Sequence, residues 1–315
     1  MKRDYFAYIK DHPDLQEFRE IPVSLSMGFV DRISLKALLN DKIEARNQYM
    51  EHASQGFEIP KFVKDFIPDF SYLPSPDWLG FQVDFDLLTS WYSKDDRILH
   101  VLDNPVRKEW IFGVPFMAGS SWKGMLRWVF RMHLKLTGPE KETDNEKIEQ
   151  ARAWELHLFG NEKGEEKFFH RGALVFYPTW FNKIGFEVIN PHRRATRAGT
   201  QPIYYEVVPG RRVIKNQDGS LEEIEGAKGV LSLLYAPWPG MRPAANPREV
   251  LPRLLEAIES LLTTYGISAK RTVGWGTARI LKWRAFHKRH DSIERDRREA
   301  LWDEIKDWLP EGDTP

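Results

Sequence analysis

Alternating apolar and polar residues mark the strands of this chain of 315 residues. Residues 80–88, Gly-Phe-Gln-Val-Asp-Phe-Asp-Leu-Leu, alternate with a period of two, which predicts a half-buried strand. Further apolar runs predict strands at 172–177, 203–208, 229–235 and 277–283. Asp218-Gly219 lies in the polar stretch before residue 229 and is a hairpin-turn signal.

Apolar residues at helical spacing predict the helices. One helix runs from about Ser120 to Leu136, and Ser120 or Ser121 would be its N-cap because a hydroxyl accepts from free first-turn N–H groups. Its core-facing residues are predicted to be Met125, Trp128, Val129 and Met132. A second helix runs from Glu249 to Tyr265 and ends at Gly266.

Two more helices are predicted nearer the ends of the chain. Asp31 or Ser34 would cap a helix that carries Leu35 and extends to Tyr49. The charged residues 288–309, with alternating signs, are interpreted as a terminal helix.

The order strand, helix, strand, strand, helix, strand indicates an α+β fold. We expect a ferredoxin-like (RRM-like) antiparallel sheet with helices on one face, plus an N-terminal extension and insertions. The expected division is a helical and irregular extension at 1–79, the ferredoxin-like domain at 80–285 and a C-terminal helix at 286–315. Residues 57–78 would be an irregular strap, and about 138–170 a charged insertion.

Composition narrows the class of protein. The chain has no cysteine, which excludes disulfides and thiolate metal sites. No apolar run has membrane-spanning length and the start lacks the apolar region of a secretory signal, so we expect a cytoplasmic protein without a membrane partner. Because 46 basic residues balance 46 acidic ones, any RNA contact must come from local clusters.

Two cationic clusters are candidate phosphate sites. Lys123, Arg127 and Arg131 form a stripe on the first long helix, whose start carries a glycine and free N–H groups. The alternative is an ordinary capped helix with a solvated cationic face. Lys270 and Arg271 lie in a glycine-rich loop after the second helix, where backbone N–H groups and two cations can face phosphates. The alternative there is a simple structural turn.

A third cluster lies between residues 190 and 199, which have the composition of an exposed loop. Arg193, Arg194 and Arg197 are candidates to clamp RNA, and His192 is a candidate to stack on a base. A solvated basic loop explains the same composition equally well.

Three segments carry a resemblance to a known family. Pro115-Phe-Met-Ala-Gly-Ser-Ser-Trp-Lys-Gly-Met-Leu-Arg127 is similar to the Pro-x-x-Pro/Ala-Gly-Ser-Ser-x-Lys-Gly-x-x-Arg segment of the RAMP superfamily of CRISPR-associated proteins. Gly266-Ile-Ser-Ala-Lys-Arg-Thr-Val-Gly-Trp-Gly276 resembles the glycine-rich loop of that family. Asp103-Asn-Pro-Val-Arg-Lys108 is similar to the Asp-x-Pro-Val-x-Lys/Arg stretch of type III backbone subunits.

The resemblance implies a subunit of a type III interference complex that grips guide RNA by its backbone. The implied partners are CRISPR RNA, target RNA and other RAMP subunits. The implied RNA contacts include one groove formed by Ser120, Ser121, Lys123, Lys270 and Arg271, with Arg127 beside it.

Asp103 matches the aspartate that such backbone subunits use for metal-dependent cleavage of target RNA. Its carboxylate would hold Mg²⁺ or orient the ribose 2′-hydroxyl for attack. The alternative is that Asp103 only caps the turn at Asn104-Pro105. The long N-terminal extension and the segment Asn190-Pro-His192 look more like terminal subunits, which bind guide RNA without cutting it.

Two other classes of function compete with guide binding. A guide-processing endoribonuclease would need a general base such as His100 or His170. A scaffold subunit would cap the assembly through tryptophan-rich surfaces and its terminal helices. The sequence has no Walker loop, dinucleotide fingerprint, nucleophile elbow or convincing histidine metal spacing.

Overall fold

A computed structural model of the chain describes residues 42–55, 59, 67–95, 100–109, 113–162, 164, 170–191, 199, 202–216 and 218–309. Its helices are α1 (Lys42–Ala53), α2 (Gly119–His133), α3 (Asn145–Phe159), α4 (Pro247–Ser260) and α5 (Arg298–Ile305). Its strands are β1 (Leu79–Leu87), β2 (Phe116–Met117), β3 (Leu174–Phe176), β4 (Thr179–Trp180), β5 (Gly185–Ile189), β6 (Ile203–Val207), β7 (Arg212–Lys215), β8 (Leu221–Ile224), β9 (Lys228–Tyr235), β10 (Ala278–His287) and β11 (His290–Arg295). A π-helical turn at Leu261–Tyr265 continues α4, and 3₁₀ turns lie at Arg271–Val273 and Lys306–Trp308.

The main sheet has five strands in the order β11-β10-β1-β9-β3. The pairings within it are antiparallel. If β1, β3, β9 and β10 are numbered one to four along the chain, their spatial order is four, one, three, two. With α2 and α4 between them this is the ferredoxin-like arrangement, which confirms the predicted fold class.

One face of the sheet packs on α2 and α4. Phe81, Val83 and Phe85 alternate along β1 toward this face and are fully buried. The buried face of α2 consists of Trp122, Leu126, Val129 and Phe130. Met125 and Trp128, which the sequence placed in the core, are only partly buried at its edge. The apolar residues at helical spacing in α4 and the turn that continues it are buried: Leu251, Leu254, Leu255, Ile258, Leu261 and Leu262.

The described part of the predicted strap, residues 67–78, covers the opposite face of the sheet. Phe70 and Leu73 are buried against Leu234, and the Gln82 side-chain amide donates to the Pro68 carbonyl at 3.2 Å. Because this covering buries both faces of β1, polar Gln82 is 6% exposed. The strap therefore occupies part of the sheet face opposite the helices.

Several predicted elements differ in the structure. Strand β6 pairs with β5 and not with the main sheet. Asp218-Gly219 turns a separate hairpin, β7–β8, which is exposed along its whole length. Helix α3 lies in the charged insertion, where the sequence indicated no helix. It begins because the Asp144 carboxylate accepts from the backbone N–H groups of Glu146 and Lys147.

The predicted C-terminal helix is wrong over residues 290–295. These residues form β11 and pair with β10, so that Ile293 lies opposite Ala285. Pairing with an existing strand satisfies the backbone groups of this charged stretch, and the helix begins only at Arg298. The predicted helix from Asp31 to Tyr49 falls partly outside the described residues, and its described end belongs to α1.

A buried ion pair joins α1, the segment before β2 and strand β6. The Lys108 ammonium lies 2.5 and 2.6 Å from the two carboxylate oxygens of Glu206, and both side chains have 0% exposure. Lys108 also donates to the Tyr49 hydroxyl at 3.0 Å, and this hydroxyl hydrogen-bonds to Glu206. Burial alone would raise the pKa of Glu206, but Lys108, His100 and the Tyr49 hydrogen bond together lower it.

We expect Lys108→Met to destabilise the protein by about 3–5 kcal/mol at pH 7, because it leaves the Glu206 carboxylate buried without its partner. Urea unfolding measures the free energy. Lys282→Met is the matched control, since Lys282 pairs with Glu294 at the surface with 48% of its side chain exposed. Such pairs contribute about 0–1 kcal/mol.

Lys108→Met should also reverse the contribution of Glu206 to the pH dependence of the free energy of unfolding. In the wild type the lowered pKa of Glu206 contributes stability above its ordinary value of 4.5, and this stability is lost as the pH falls through the lowered pKa. Without Lys108 the buried carboxyl has a raised pKa, so its protonation relieves the destabilisation. The difference between wild type and Lys108→Met should therefore shrink from pH 7 to pH 4. A constant difference would contradict the buried pair.

Candidate nucleic-acid interface

Helix α2 begins one residue before the predicted caps. Its N-cap is Ala118, which makes no side-chain cap hydrogen bond, so the prediction that Ser120 or Ser121 is the N-cap is wrong. Both serines lie in the first turn. Gly119 sits against β3, where an added Cβ would be 2.5 Å from the Phe176 carbonyl oxygen. This contact fixes the helix start, and the absence of a side-chain cap leaves its positive end open to an anion.

The glycine-rich loop, residues 266–276, is anchored beyond the end of β1. The Trp91 indole donates to the Ile267 carbonyl at 2.9 Å, and the Tyr92 N–H donates to the Ser268 hydroxyl at 3.0 Å. Gly276 has a φ of +88°, and a Cβ there would lie 2.4 Å from the Ser268 nitrogen. The loop can therefore fold back on itself only with glycine at this position.

Arg271 connects this loop to α2. The centre of its guanidinium lies 4.5 Å from the Trp128 ring centroid, a cation–π contact. Its Nη1 atom is buried and makes no hydrogen bond to a described residue. Buried donors normally have an acceptor, so this nitrogen is a ready donor for an incoming anion.

Lys270 contacts a different element. Its ammonium lies 4.5 Å from the Tyr205 ring centroid, on β6. Tyr205 packs edge-on against Tyr92 and Trp275. Burial, with smaller contributions from Tyr205, Glu206 and Asp95, raises the pKa of Tyr92 to about 12, so this phenol is neutral at pH 7. Lys270 thus lies over the Tyr205 ring of an aromatic cluster.

The start of α2 and the glycine-rich loop form a groove of about 430 Å³. Of the predicted site residues, Ser120, Ser121 and Arg271 line it. Lys123 and Lys270 are not among the lining residues. Lys123 lies in the second turn of α2, directly before the lining residue Gly124, and partial burial, followed by the nearby charge of Arg127, lowers its pKa. A phosphate next to Lys123 would favour its charged form.

Arg127 and Arg131 do not form a solvated stripe. The Arg127 Nε atom hydrogen-bonds to Glu155 on α3, and the Arg131 Nε atom lies 2.8 Å from the same carboxylate. The Glu155 side chain is only 7% exposed. The charge of Arg127 is therefore already engaged within the protein, and its RNA contact stays a prediction.

Asp103 lies in a bend with 70% of its side chain exposed, and its carboxylate is 4.0 Å from Arg46 on α1. The neighbouring Asn104 is fixed on β6: its carbonyl accepts from the Glu206 N–H at 3.0 Å and its amide donates to the Tyr204 carbonyl at 3.2 Å. Among the described residues, no three His, Cys, Asp or Glu side chains are grouped to hold a metal ion. Asp103 is thus an exposed carboxylate on an anchored segment.

Other predicted residues have different outcomes. His192, Arg193, Arg194 and Arg197 lie outside the described residues, so their roles stay predictions. The ring of His100 packs edge-on against Tyr49 at 5.1 Å, and its Nδ1 accepts from the Leu102 N–H at 3.0 Å. This position is that of a packed side chain.

Sequence reasoning missed the aromatic partners of the loop cations. Trp128 has the spacing of a core residue, and Tyr205 lies on a distant strand, so neither carries a local signal of cation binding. The high tryptophan content of 12 residues was the available indication.

Comparisons with known proteins test the fold. No match to a curated protein was found. A chain in the solved structure "Cryo-EM structure of the Type III-B Cmr-beta bound to cognate target RNA" is similar, with a TM-score of 0.53 and 13% identity over 90% of this chain and 88% of that one. At this identity the likeness shows the fold alone. In the part of the chain that is described, no helix is long and apolar enough to cross a bilayer.

Two further structures have lower TM-scores. A chain of "CRISPR RNA-guided surveillance complex" gives 0.41 at 12% identity, over 66% of this chain and 68% of that one. A chain of "CRISPR RNA-guided surveillance complex, pre-nicking" gives 0.43 at 11%, over 66% and 75%. The family model of the RAMP superfamily matches residues 84–279, which include both walls of the groove and the anchored Asp103 segment. The chain therefore belongs to the RAMP superfamily.

Proposed function

We propose that this chain is a guide-RNA-binding subunit of a type III CRISPR interference complex. It holds the sugar–phosphate backbone of CRISPR RNA in the groove between the start of α2 and the glycine-rich loop. Its partners are CRISPR RNA, target RNA and neighbouring RAMP subunits. Membership of the superfamily supports the class of partner, and the geometry of the groove supports the position of the RNA.

The observation that carries this proposal is the position of Arg271. Its guanidinium is held on Trp128, its Nη1 atom is buried without a described partner, and it lines the same groove as Ser120 and Ser121. A phosphate in the groove would accept from the guanidinium and from the serine hydroxyls, and it would lie near the positive end of α2. These groups recognise the backbone and not the bases, as a guide of variable sequence requires.

Exposed apolar surface supports the contact with neighbouring subunits. On the β7–β8 hairpin, Val213 is 62% exposed and Leu221 is 71% exposed. Both faces of an isolated two-stranded hairpin are open, and such a hairpin is marginally stable alone in water. Burial against another subunit would remove this apolar area from solvent. The same observation favours the scaffold function as a second role of the chain.

We expect Arg271→Glu to weaken binding of single-stranded RNA by about 10- to 100-fold, the effect of losing one charge-assisted hydrogen bond in a partly buried groove. The slope of log Kobs against log salt should fall by about 0.7 for each lost phosphate contact. Filter binding at several salt concentrations measures both quantities. Lys123→Glu and Lys270→Glu test the two cations beside the groove in the same assay.

Arg289→Glu is the matched charge control. Arg289 is exposed and follows the far end of β10, about 30 Å along the strand from the glycine-rich loop. Its reversal changes the net charge equally and should leave the salt slope nearly unchanged. Equal loss of affinity in Arg271→Glu and Arg289→Glu would show that only overall charge matters, and the groove would not be the RNA site.

Cleavage of target RNA by Asp103 is a finer part of the proposal. The exposure of this carboxylate and the anchoring of Asn104 on β6 favour it, because a catalytic group must be both accessible and fixed. Asp103 alone would supply one ligand of a Mg²⁺ site, and the remaining ligands would have to be water and RNA oxygens. The proposed role of Asp103 is therefore to orient the ribose 2′-hydroxyl, and Mg²⁺ binding stays a prediction.

In an assembled complex, we expect Asp103→Asn to leave guide RNA retention intact and to reduce target RNA cleavage by about 100-fold or more. Denaturing gels of labelled target RNA measure the cuts, and extraction of bound RNA measures retention. Glu109→Gln, on the same segment, is the control. Persistence of every cut in Asp103→Asn would mean that this carboxylate does not take part, and the guide-binding proposal would stand unaffected.

A further inference from the structure

The charged insertion forms a second cavity, at the other end of α2 from the groove. Residues 135–142 and the inner side of α3 border it, and its volume is about 680 Å³. Small-molecule sites commonly have volumes of about 300–1,000 Å³. Neither guide binding in the groove nor cleavage at Asp103 uses this cavity.

Its lining is cationic, although the whole chain has 46 basic and 46 acidic residues. The charged residues among the described lining are five basic and two acidic: Arg127, Arg131, Lys135, Lys141, Arg152, Glu142 and Glu155. Such a local excess in a chain without net charge is a specific feature of this surface.

Part of this lining is fixed in place. Arg127 and Arg131 share the buried carboxylate of Glu155, and Arg131 also lies 2.5 Å from Glu162. The charges of these two arginines and two glutamates cancel, so the excess positive charge has another source. The four paired side chains form a rigid wall. The excess comes from Lys135, Lys141 and Arg152 against Glu142.

Glu140 lies 4.0 Å from Lys135, and Glu142, which lines the cavity with these cations, is engaged by the turn before α3. The Glu142 carboxylate accepts from the backbone N–H groups of Thr143 at 3.0 Å and Asp144 at 3.2 Å. Another lining group lacks an acceptor: the Thr137 hydroxyl is buried and makes no hydrogen bond to a described residue. Lys135 thus has an acid beside it, whereas Lys141 and Arg152, both exposed, together with the buried Thr137 hydroxyl suit an anion with several oxygens.

We propose that this cavity binds phosphoryl groups. Lys141 and Arg152 contact the phosphate oxygens, Thr137 donates its hydroxyl, and Arg127 with Arg131 forms the fixed wall. The phosphates belong either to a nucleic-acid strand or to a free polyphosphate compound such as a nucleotide. Ser121 lines the groove and Arg131 lines the cavity, and these two residues are about 15 Å apart along α2. A strand that leaves the groove toward the C-terminal end of α2 would reach the cavity.

The test uses the full-length chain with Lys141→Ala and Arg152→Ala combined. Both side chains are exposed, so folding should be preserved, and the melting temperature without ligand checks this. Lys147→Ala combined with Arg253→Ala is the matched control, because both residues are exposed, carry the same charge and do not line the cavity. The two probes are inorganic pyrophosphate and a single-stranded RNA oligonucleotide.

Pyrophosphate at ten times its Kd should raise the melting temperature of the wild type and of the control by on the order of 2 °C, and should leave the cavity variant unshifted. In RNA binding, the loss of two phosphate contacts should lower the slope of log Kobs against log salt by about 1.4 in the cavity variant. That result together with the pyrophosphate shift identifies a strand as the source of the phosphates. A pyrophosphate shift with an unchanged RNA slope identifies a free polyphosphate.

The proposal is overturned if the cavity variant keeps the wild-type pyrophosphate shift and the wild-type RNA slope. The pyrophosphate experiment does not depend on RNA binding in the groove, so it separates this proposal from the proposed function. Failure of Arg271→Glu to affect RNA would leave the pyrophosphate result valid. Conversely, loss of the cavity site leaves Arg271, Ser120 and Ser121 in place.

Discussion

The pairing of β1 with β10 is the constraint on which the candidate groove depends. The two strands pair antiparallel from Leu79 with His287 to Leu87 with Ala278. Beyond the paired region the chain of β1 continues to Trp91 and Tyr92, while the chain before β10 is the glycine-rich loop. The ladder therefore brings the two segments together, and hydrogen bonds from Trp91 and Tyr92 fix the loop. Since α2 packs on the same sheet, the sheet sets the width of the groove.

The cations that can bind an anion are determined by how the charged side chains pair and not by the overall composition. On α2, the arginines near α3 are engaged by Glu155, whereas no acid among the described residues is paired with Arg271 across the groove. On the sheet face opposite the helices, Arg279 pairs with Asp86 and Arg284 pairs with Asp84. Together with the strap, these pairs leave that face less suited to phosphates than the groove. Among the described residues, Arg271 is the cation that lines the groove.

Much of the fold was predictable because its signals are local. Strand β1 alternates strictly, and α4 carries leucines and isoleucine at helical spacing up to Gly266. Helix α3 could not be predicted in the same way, since Asn145–Phe159 has charged residues on most sides and depends on contacts with Arg127 and Arg131. Strand β11 was mistaken for helix because its charged side chains give no apolar period, and only pairing with β10 defines it.

The site was predictable to a similar extent. The family resemblance implied a groove shared by Ser120, Ser121, Lys123, Lys270 and Arg271. Of these, Ser120, Ser121 and Arg271 line one cavity in the structure. The motif could not show that Arg127 faces an acid from the insertion. Nor could it show that Lys270 lies over Tyr205, because that contact depends on where β6 lies in three dimensions.

The buried Lys108–Glu206 pair also determines where the chain can be truncated. Tyr49 of α1 supplies a hydroxyl to both charges, so residues that precede the ferredoxin-like domain in sequence complete the solvation of an ion pair inside it. Truncation before β1 would remove the Tyr49 hydroxyl and leave a cavity beside the Lys108–Glu206 pair. The N-terminal helix is therefore an integral part of one cooperative folding unit, and a minimal fragment of this protein has to retain it.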